Sequence, residues 1–473
     1  MNPMYLPLIP GLILGLGGMV LLLIGVLSKR DQTCTCTYGA VLALGLAAAF
    51  CLAAPDGVLF AGLLKTSLFT RFADTLVYLG AAAALLLSLD YNRREAMARF
   101  EFPVLVLFAV LGMIVMISAA DLMSLYIGFE LQSLTLYILA ASARDSLRST
   151  EAGLKYFVLG SLASGLLIYG ISLVYGFAGT TNFISLAAIL ANGAGYGTII
   201  GIVFVLVGLA FKVSAAPFHM WTPDVYEGSP TPVTALFGTA PKIATMALLF
   251  SVMLGPFGHL LAQWRMIIEV LSILSMALGA LAAIGQKNIK RLLAYSSIGH
   301  MGYALMGLAA GTMAGTQATL VYLAIYLVMS FGAFACVIAM RRKGQAVETI
   351  ADLAGLSTEN PSFALALAIF MWAMAGIPPL SGFFGKLYVF SAAINAGLTT
   401  LAVVGVVTSV IGAFYYLRVI KVMYFDAGTP GFDKTASSVR FVMFAGALVT
   451  CLFVFIPGPL ITAADAAAKA LIG

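Results

Sequence analysis

Apolar residues run along almost the whole chain in stretches of about 20, the length a helix needs to cross a bilayer. Polar residues are confined to short gaps between them. In order, the pattern predicts about fourteen spans: 5–28, 38–55, 72–90, 103–119, 121–141, 153–178, 196–223, 231–254, 262–285, 289–311, 315–340, 362–396, 398–420 and 438–461. The gap between the fourth and fifth is the tightest, at residues 119–121. The twelfth stretch is too long for one straight helix, and the GIPPLSG segment at 376–382 predicts a break inside it. Pro217 interrupts the seventh in the same way. The two longest polar links, 341–361 and 425–438, leave no room for a sizeable soluble domain. The expected fold is an all-α polytopic membrane protein, one membrane domain throughout.

Composition agrees. Hydrophobic residues make up 62% and charged residues 9%, where a soluble domain carries about 25% charged. Mean hydropathy is +1.05. The formal charge of +6 is no nucleic-acid signal, because the basic residues sit in short loops. Those loops test the span count. Eighteen of the 25 lysines and arginines fall in odd-numbered loops or the helix ends beside them, and four fall on the other side: Lys65, Arg71, Arg265 and Lys469. This puts odd loops in the cytoplasm and both termini outside. The first ten residues lack the basic start of a cleavable signal, and the first apolar run is long enough to span. Of the five cysteines, Cys34 and Cys36 share a loop and the rest lie in apolar runs, which offers too few ligands for a zinc site. No redox centre, nucleotide-binding glycine loop or paired-histidine pattern is expected.

The remaining three basic residues are Lys212, Lys242 and Lys386, all inside predicted spans. Lys212 lies five residues before Pro217, and Lys242 follows Pro241. Glu130 in the fifth span and His300 in the tenth are also near mid-membrane. A charge there needs a partner, water, or a proton to lose. Proline frees backbone carbonyls, which only protein or a wet cavity can satisfy. Paired charges fixing helix packing are the plain alternative, but the cations outnumber the one deep carboxylate. The set Glu130, Lys212, Lys242, His300 and Lys386 therefore reads as a proton relay, with Ser133, Thr135, Ser214, Ser296 and Ser297 available to order water. His219, beyond Pro217, reads as a packing residue. The two interrupted helices lie five spans apart, so they cross in opposite directions, and such pairs point to a transport site.

The segments FKVSAAPFHMWTPDVYEGSPTPVTA, APKIA, KRLLAYSSIGHMGY and AGIPPLSGFFGK resemble the antiporter-like membrane subunits of respiratory complex I, and within that family its N-type branch in the bacterial proton-translocating NADH–quinone oxidoreductase. YEGSPTPVTA is the specific part, whereas KRLLAYSSIGHMGY is shared across the family. The resemblance covers roughly the fourth to the thirteenth span. It implies two inverted five-helix repeats with broken seventh and twelfth helices. The division is three N-terminal helices at 1–100, a first repeat at 101–255, a second at 256–425, and a C-terminal helix at 426–473. It carries the family's glutamate onto Glu130 and its lysines onto Lys212, Lys242 and Lys386. It also implies a bacterial inner-membrane location and other complex I membrane subunits as partners. NADH, FMN, iron–sulfur clusters and quinone would belong to partner subunits, with no cofactor in this chain. The rivals are an Mrp-type cation/proton antiporter subunit and a structural subunit that conducts nothing.

Overall fold

Several helices begin where a polar side chain stands just ahead of an apolar stretch and covers the first free N–H groups. Ser67 and Thr70 form a reciprocal capping box. Asp121 accepts from the Met123 amide at 2.7 Å, and Asn288 from the amides of Lys290 and Arg291 at 2.8 and 3.2 Å. In the computed structural model, which describes residues 3–472, the first half contains α1 (Ile9–Leu27), α2 (Thr33–Ala53), α3 (Leu68–Arg94), α4 (Glu101–Ile117), α5 (Leu122–Ala140), α6 (Leu147–Ala178), α7 (Phe183–Leu190), α8 (Tyr196–Lys212), α9 (Thr222–Gly228), α10 (Thr231–Phe237) and α11 (Ala240–Leu254). The second half contains α12 (Leu261–Ile284), α13 (Ile289–Ala310), α14 (Met313–Ala339), α15 (Leu356–Glu359), α16 (Pro361–Ala375), α17 (Ser381–Asn395), α18 (Thr399–Phe425), α19 (Ser437–Leu452) and α20 (Gly458–Ile472). Two minimal hairpins interrupt the all-helical expectation. β1 (Gly57–Leu59) pairs with β2 (Leu64–Thr66), and β3 (Arg341–Arg342) with β4 (Gln345–Ala346).

These helices compose fourteen crossings, with α8, α10–α11 and α16–α17 each filling one. The loops segregate as that count requires. On one face, Arg341 pairs with Glu95, Arg148 with Glu227, Lys290 with Glu348, and Arg291 with Asp224. Each of these ties one odd-numbered loop, or the helix end beside it, to another. On the opposite face residue 64 bridges to 119 and residue 121 to 182, joining even-numbered loops.

The seventh and twelfth spans are broken where expected. Helix α8 stops at Lys212, and nothing helical follows until Thr222. Helix α16 stops at Ala375 and α17 starts at Ser381. Gly376 carries φ +84°, and a Cβ there would lie 2.9 Å from Cδ of Lys386, so the turn needs glycine twice over. The eighth span is also broken, which the single run 231–254 did not anticipate. Pro241 cannot donate an N–H and its ring collides with the carbonyl of residue 237 in a continuous helix. The chain steps out at Thr239 (φ −130°, ψ −90°). The last run, read as 438–461, ends early. Helix α19 stops at Leu452, and after Pro457 a separate α20 packs against α14 and α3.

Helices α10–α11 and α14 are enclosed by other helices over nearly their whole length. They form the centre of the bundle. Helices α4 and α5 cross so closely that a Cβ on Gly128 would sit 2.6 Å from the Met116 amide nitrogen. That contact fixes α5 and the glutamate it carries.

Candidate functional site

The lysines predicted inside the membrane are inside the protein. Lys242 is 0%, Lys212 2% and Lys386 6% exposed, and His300 is 2% exposed. From Lys242 to His300 and Lys386 the structure supplies polar neighbours at nearly every step. Lys242 Nζ donates to Ser297 Oγ at 2.7 Å, and Ser297 Oγ lies 2.7 Å from Tyr326 OH. The Tyr326 ring packs against His300, centroids 5.1 Å apart. His300 Nδ1 is 2.6 Å from Tyr322 OH and Nε2 is 3.1 Å from Tyr416 OH, which in turn contacts Ser296 Oγ. A neutral imidazole donates from one nitrogen and accepts at the other, so His300 can pass a proton from one phenol to the other. Beyond it, a small cavity with about 10 Å³ of water-accessible space is lined by Ser296, His300, Tyr303, Lys386, Ser409 and Tyr416 among others. That is about the room one water needs. Lys386 Nζ donates to Ser409 Oγ at 2.8 Å and to the Ala375 carbonyl at 2.9 Å.

Helix geometry produces this row. Ser296, Ser297, His300 and Tyr303 recur along one side of α13. Tyr322 and Tyr326 are one turn apart on α14, and Ser409 and Tyr416 two turns apart on α18. The tyrosines and Ser409 are the members of the row that the sequence did not single out. The available signal was two tyrosines at i, i+4 spacing in a helix without a charged residue.

Lys212 is held differently. Its Nζ has no hydrogen-bond partner among the described residues. It faces three aromatic rings, with centroids at 4.9 Å for Phe129, 5.3 Å for Tyr137 and 5.3 Å for Tyr156. Glu130, half-buried on α5, does not pair with it directly; its carboxylate accepts from Ser164 Oγ. Between Lys212 and Lys242 stands an aromatic partition. Tyr156 stacks on Trp221 at 4.4 Å, Trp221 lies 6.2 Å from Tyr226, and the Tyr226 ring is 5.4 Å from Lys242 Nζ. Of the hydroxyls expected near the charges, Ser296 and Ser297 join the row. Ser133 and Thr135 are spent on backbone carbonyls of their own helix. Ser214 Oγ and His219 Nδ1 are buried without a partner.

A charged mouth lies on the odd-loop face. Lys290 is 2% exposed, and its Nζ donates to Glu348 Oε1 at 3.0 Å, to the Glu227 carbonyl at 3.0 Å and to the Ser229 carbonyl at 2.7 Å. Burial opposes the Glu348 carboxylate, but Lys290, with Asn288 and Arg148 beside it, holds it below the usual glutamate range. Burial likewise opposes Asp224, and Lys155 and Arg291 more than offset it, again holding the group low. A cavity of about 360 Å³ reaches from this cluster to Ser229 and Lys290. Past it, the hydroxyls of Ser229 and Tyr226 are buried without partners, and Tyr226 faces Lys242. Among the described residues, no three His, Cys, Asp or Glu side chains gather in a way that could hold a metal.

The family described as NADH:quinone oxidoreductase/Mrp antiporter, TM, matches residues 119–412, which takes in the breaks of the seventh, eighth and twelfth spans and every residue of the row but Tyr416. Fold and site thus define an antiporter-type membrane subunit. NADH-quinone oxidoreductase subunit N 1 of Acidiphilium cryptum (strain JF-5) is 63% identical over 469 residues, covering 99% of this chain and 98% of that protein. A chain of respiratory complex I from Thermus thermophilus with bound Aureothin superposes with a TM-score of 0.84 at 33% identity, covering 97% of this chain and 99% of that one. A chain of the Mrp complex from Dietzia sp. DQ12-45-1b superposes with a TM-score of 0.88 over the full length of both, at 22% identity, a likeness of fold alone. The chain belongs to the NADH-quinone oxidoreductase subunit N family.

Proposed function

We propose that this chain moves protons along the row Lys242–His300–Lys386, with Lys212 and Glu130 as a second, separately held station. The observation that carries the proposal is the run of buried donors and acceptors from Lys242 Nζ through Ser297, Tyr326, His300 and Tyr416 to Lys386. Packing alone asks for no such run, since a buried polar group without a purpose is a cost. Protons enter from the charged mouth at Lys290 and Glu348, by way of Ser229 and Tyr226. The relatives are named as subunits of NADH-quinone oxidoreductase. This chain accordingly acts as a membrane subunit of that proton-translocating enzyme, beside its other membrane subunits, in the bacterial inner membrane. NADH, FMN, iron–sulfur clusters and quinone act in other subunits of the complex. Moving one charge against 100 mV requires about 2.3 kcal/mol, so the drive comes from the redox reaction next door. We assign 1–100, 101–255, 256–425 and 426–473 to the N-terminal helices, the two inverted repeats and the C-terminal segment.

The test is NADH-driven proton uptake by the purified complex in sealed vesicles. Lys242→Ala and His300→Ala should each lower protons moved per NADH oxidised while the complex stays assembled. A normal ratio in both variants would defeat the row and favour a structural role. Orientation is tested separately. The 18-to-4 charge asymmetry places odd loops in the cytoplasm and the termini in the periplasm, so a cysteine at position 343 should react with impermeant reagent only from the cytoplasmic side. Reaction only from outside would reverse the assignment.

A further inference from the structure

The N-terminal helices hold a polar group that the lysine row does not use. Asp74, two turns into α3, is 6% exposed. Its Oδ2 lies 4.0 Å from Cys51 Sγ, and its Oδ1 has no hydrogen-bond partner among the described residues. One turn further on, Tyr78 is 2% exposed and its hydroxyl is also unpartnered. The nearest cation in sequence, Arg71, is engaged elsewhere. Its guanidinium donates to the Ala54 carbonyl and to Asp56. Lys65 is exposed, while its neighbours Leu64 and Thr66 face inward, as strand alternation requires.

Asp74, Tyr78 and Cys51 line a cavity with about 230 Å³ of water-accessible space, walled by Leu64, Leu111 and Ile114 and bordered by the β1–β2 hairpin. A carboxylate in apolar walls with no counter-charge must take a proton or a cation. A small, strongly hydrated metal ion would find too few oxygens here. A cation that carries its own apolar body meets both demands, with charge to the carboxylate and phenol ring and body to the aliphatic walls. We propose that this cavity binds an amphipathic monocation, its charge on Asp74 and Tyr78 and its apolar part against Leu64, Leu111 and Ile114. The site stands apart from the lysine row and does not depend on that row conducting. Proton and cation compete for the same carboxylate.

That competition is the test. Dicyclohexylcarbodiimide reacts with a protonated carboxyl. The acid proton passes to one carbodiimide nitrogen, the carboxylate oxygen bonds to the central carbon, and an O-to-N acyl shift leaves a stable N-acylurea with nothing lost. In the intact purified complex, mass mapping should find the adduct on Asp74. Saturating hexyltrimethylammonium, which is not a nucleophile, should slow its formation about tenfold, and neutral hexanol should not. Binding of labelled hexyltrimethylammonium should weaken about tenfold in Asp74→Asn, the scale of losing one partly buried charge contact, with a smaller loss in Tyr78→Phe. Protection by hexanol as strong as by the cation would overturn the proposal in favour of a plain apolar pocket. Labelling that the cation does not slow would leave Asp74 a proton site only. An Asp74 that never labels is unreachable, and the proposal fails. The competition uses the natural complex, so it decides even where Asp74→Asn does not assemble.

Discussion

Three spans break inside the membrane, each beside a buried lysine, and the lysines at the seventh and twelfth are held by opposite means. At the twelfth span the helix end exposes the Ala375 carbonyl, and Lys386 itself covers it at 2.9 Å. The ammonium sits at the negative end of α16 and is fixed a second time by Ser409. At the seventh span the corresponding job goes to an indole. Trp221 Nε1 donates to the Phe211 carbonyl at 2.9 Å, so Lys212 is left to three ring faces. A hydrogen bond from a charged group contributes about 1.5–3 kcal/mol and has a direction. A desolvated cation–ring contact contributes about 2 kcal/mol and tolerates rotation. Lys386 is therefore pinned into the row, while Lys212 can turn toward a new partner at small cost. One broken helix holds its lysine by directed bonds and the other holds its lysine against ring faces.

The hardest test removes the amines. Lys386→Ala and Lys212→Ala should each reduce NADH-driven pumping about 10²-fold or more in an assembled complex, the scale of losing a positioned proton carrier. Arginine at either position should not restore it, because a guanidinium stays protonated and cannot cycle. Normal pumping in either alanine variant would remove that lysine from the relay.

The comparison sharpens on the supporting side chains, where effects should be smaller. Ser409→Ala removes one of the two bonds that pin Lys386, about 1.5 kcal/mol, so pumping should fall about tenfold. Tyr156→Phe keeps the ring face toward Lys212 and should be nearly silent, while Tyr156→Leu removes it and should slow pumping several-fold. If the phenylalanine variant is as damaged as the leucine one, the hydroxyl rather than the face serves Lys212, and the contrast collapses. Glu130→Gln should be milder still than removing a lysine, and Glu130→Asp milder again. Glu130 is bonded to Ser164 and does not pair with Lys212 directly. A glutamine variant that pumps like the parent would reassign Glu130 to packing.

Much of this was legible in the sequence. Apolar runs marked the crossings, and basic residues sorted the loops into two groups that the structure places on two faces. GIPPLSG and Pro217 marked the breaks, because proline and glycine act on the backbone locally. The five ionisable positions stood out because charge is rare in a membrane helix. Three things were not legible. The break at Thr239 needed Pro241 to be read against the carbonyl four residues back. Tyr322, Tyr326 and Tyr416 look like packing, since tyrosine is tolerated in apolar helices whether or not its hydroxyl has work. Asp74 was lost in the first turns of its span, and only the folded chain places it nine-tenths buried over a cavity.

The smallest expected effect separates the row from its mouth. The loop carboxylates Glu348 and Asp224 are held below their ordinary range by Lys290, Lys155 and Arg291 against the cost of burial. A carboxylate whose folded value is depressed stabilises the fold above its unfolded value, about 4.3 for glutamate and 3.9 for aspartate, and loses that contribution as pH falls through the folded value. From about pH 8 to 5 the cluster should therefore stay ionised. Hydrogen exchange at residues 222–229 and 345–350 of the assembled complex, corrected for intrinsic rates, should be flat across that range and rise only below about pH 4. Any pH dependence of pumping between 5 and 8 then originates beyond the mouth, in the buried row. Opening of these loops near neutrality would place a titrating gate at Lys290 and Glu348 instead. The difference between pinned and caged lysines would then matter less to the rate than the entrance they share.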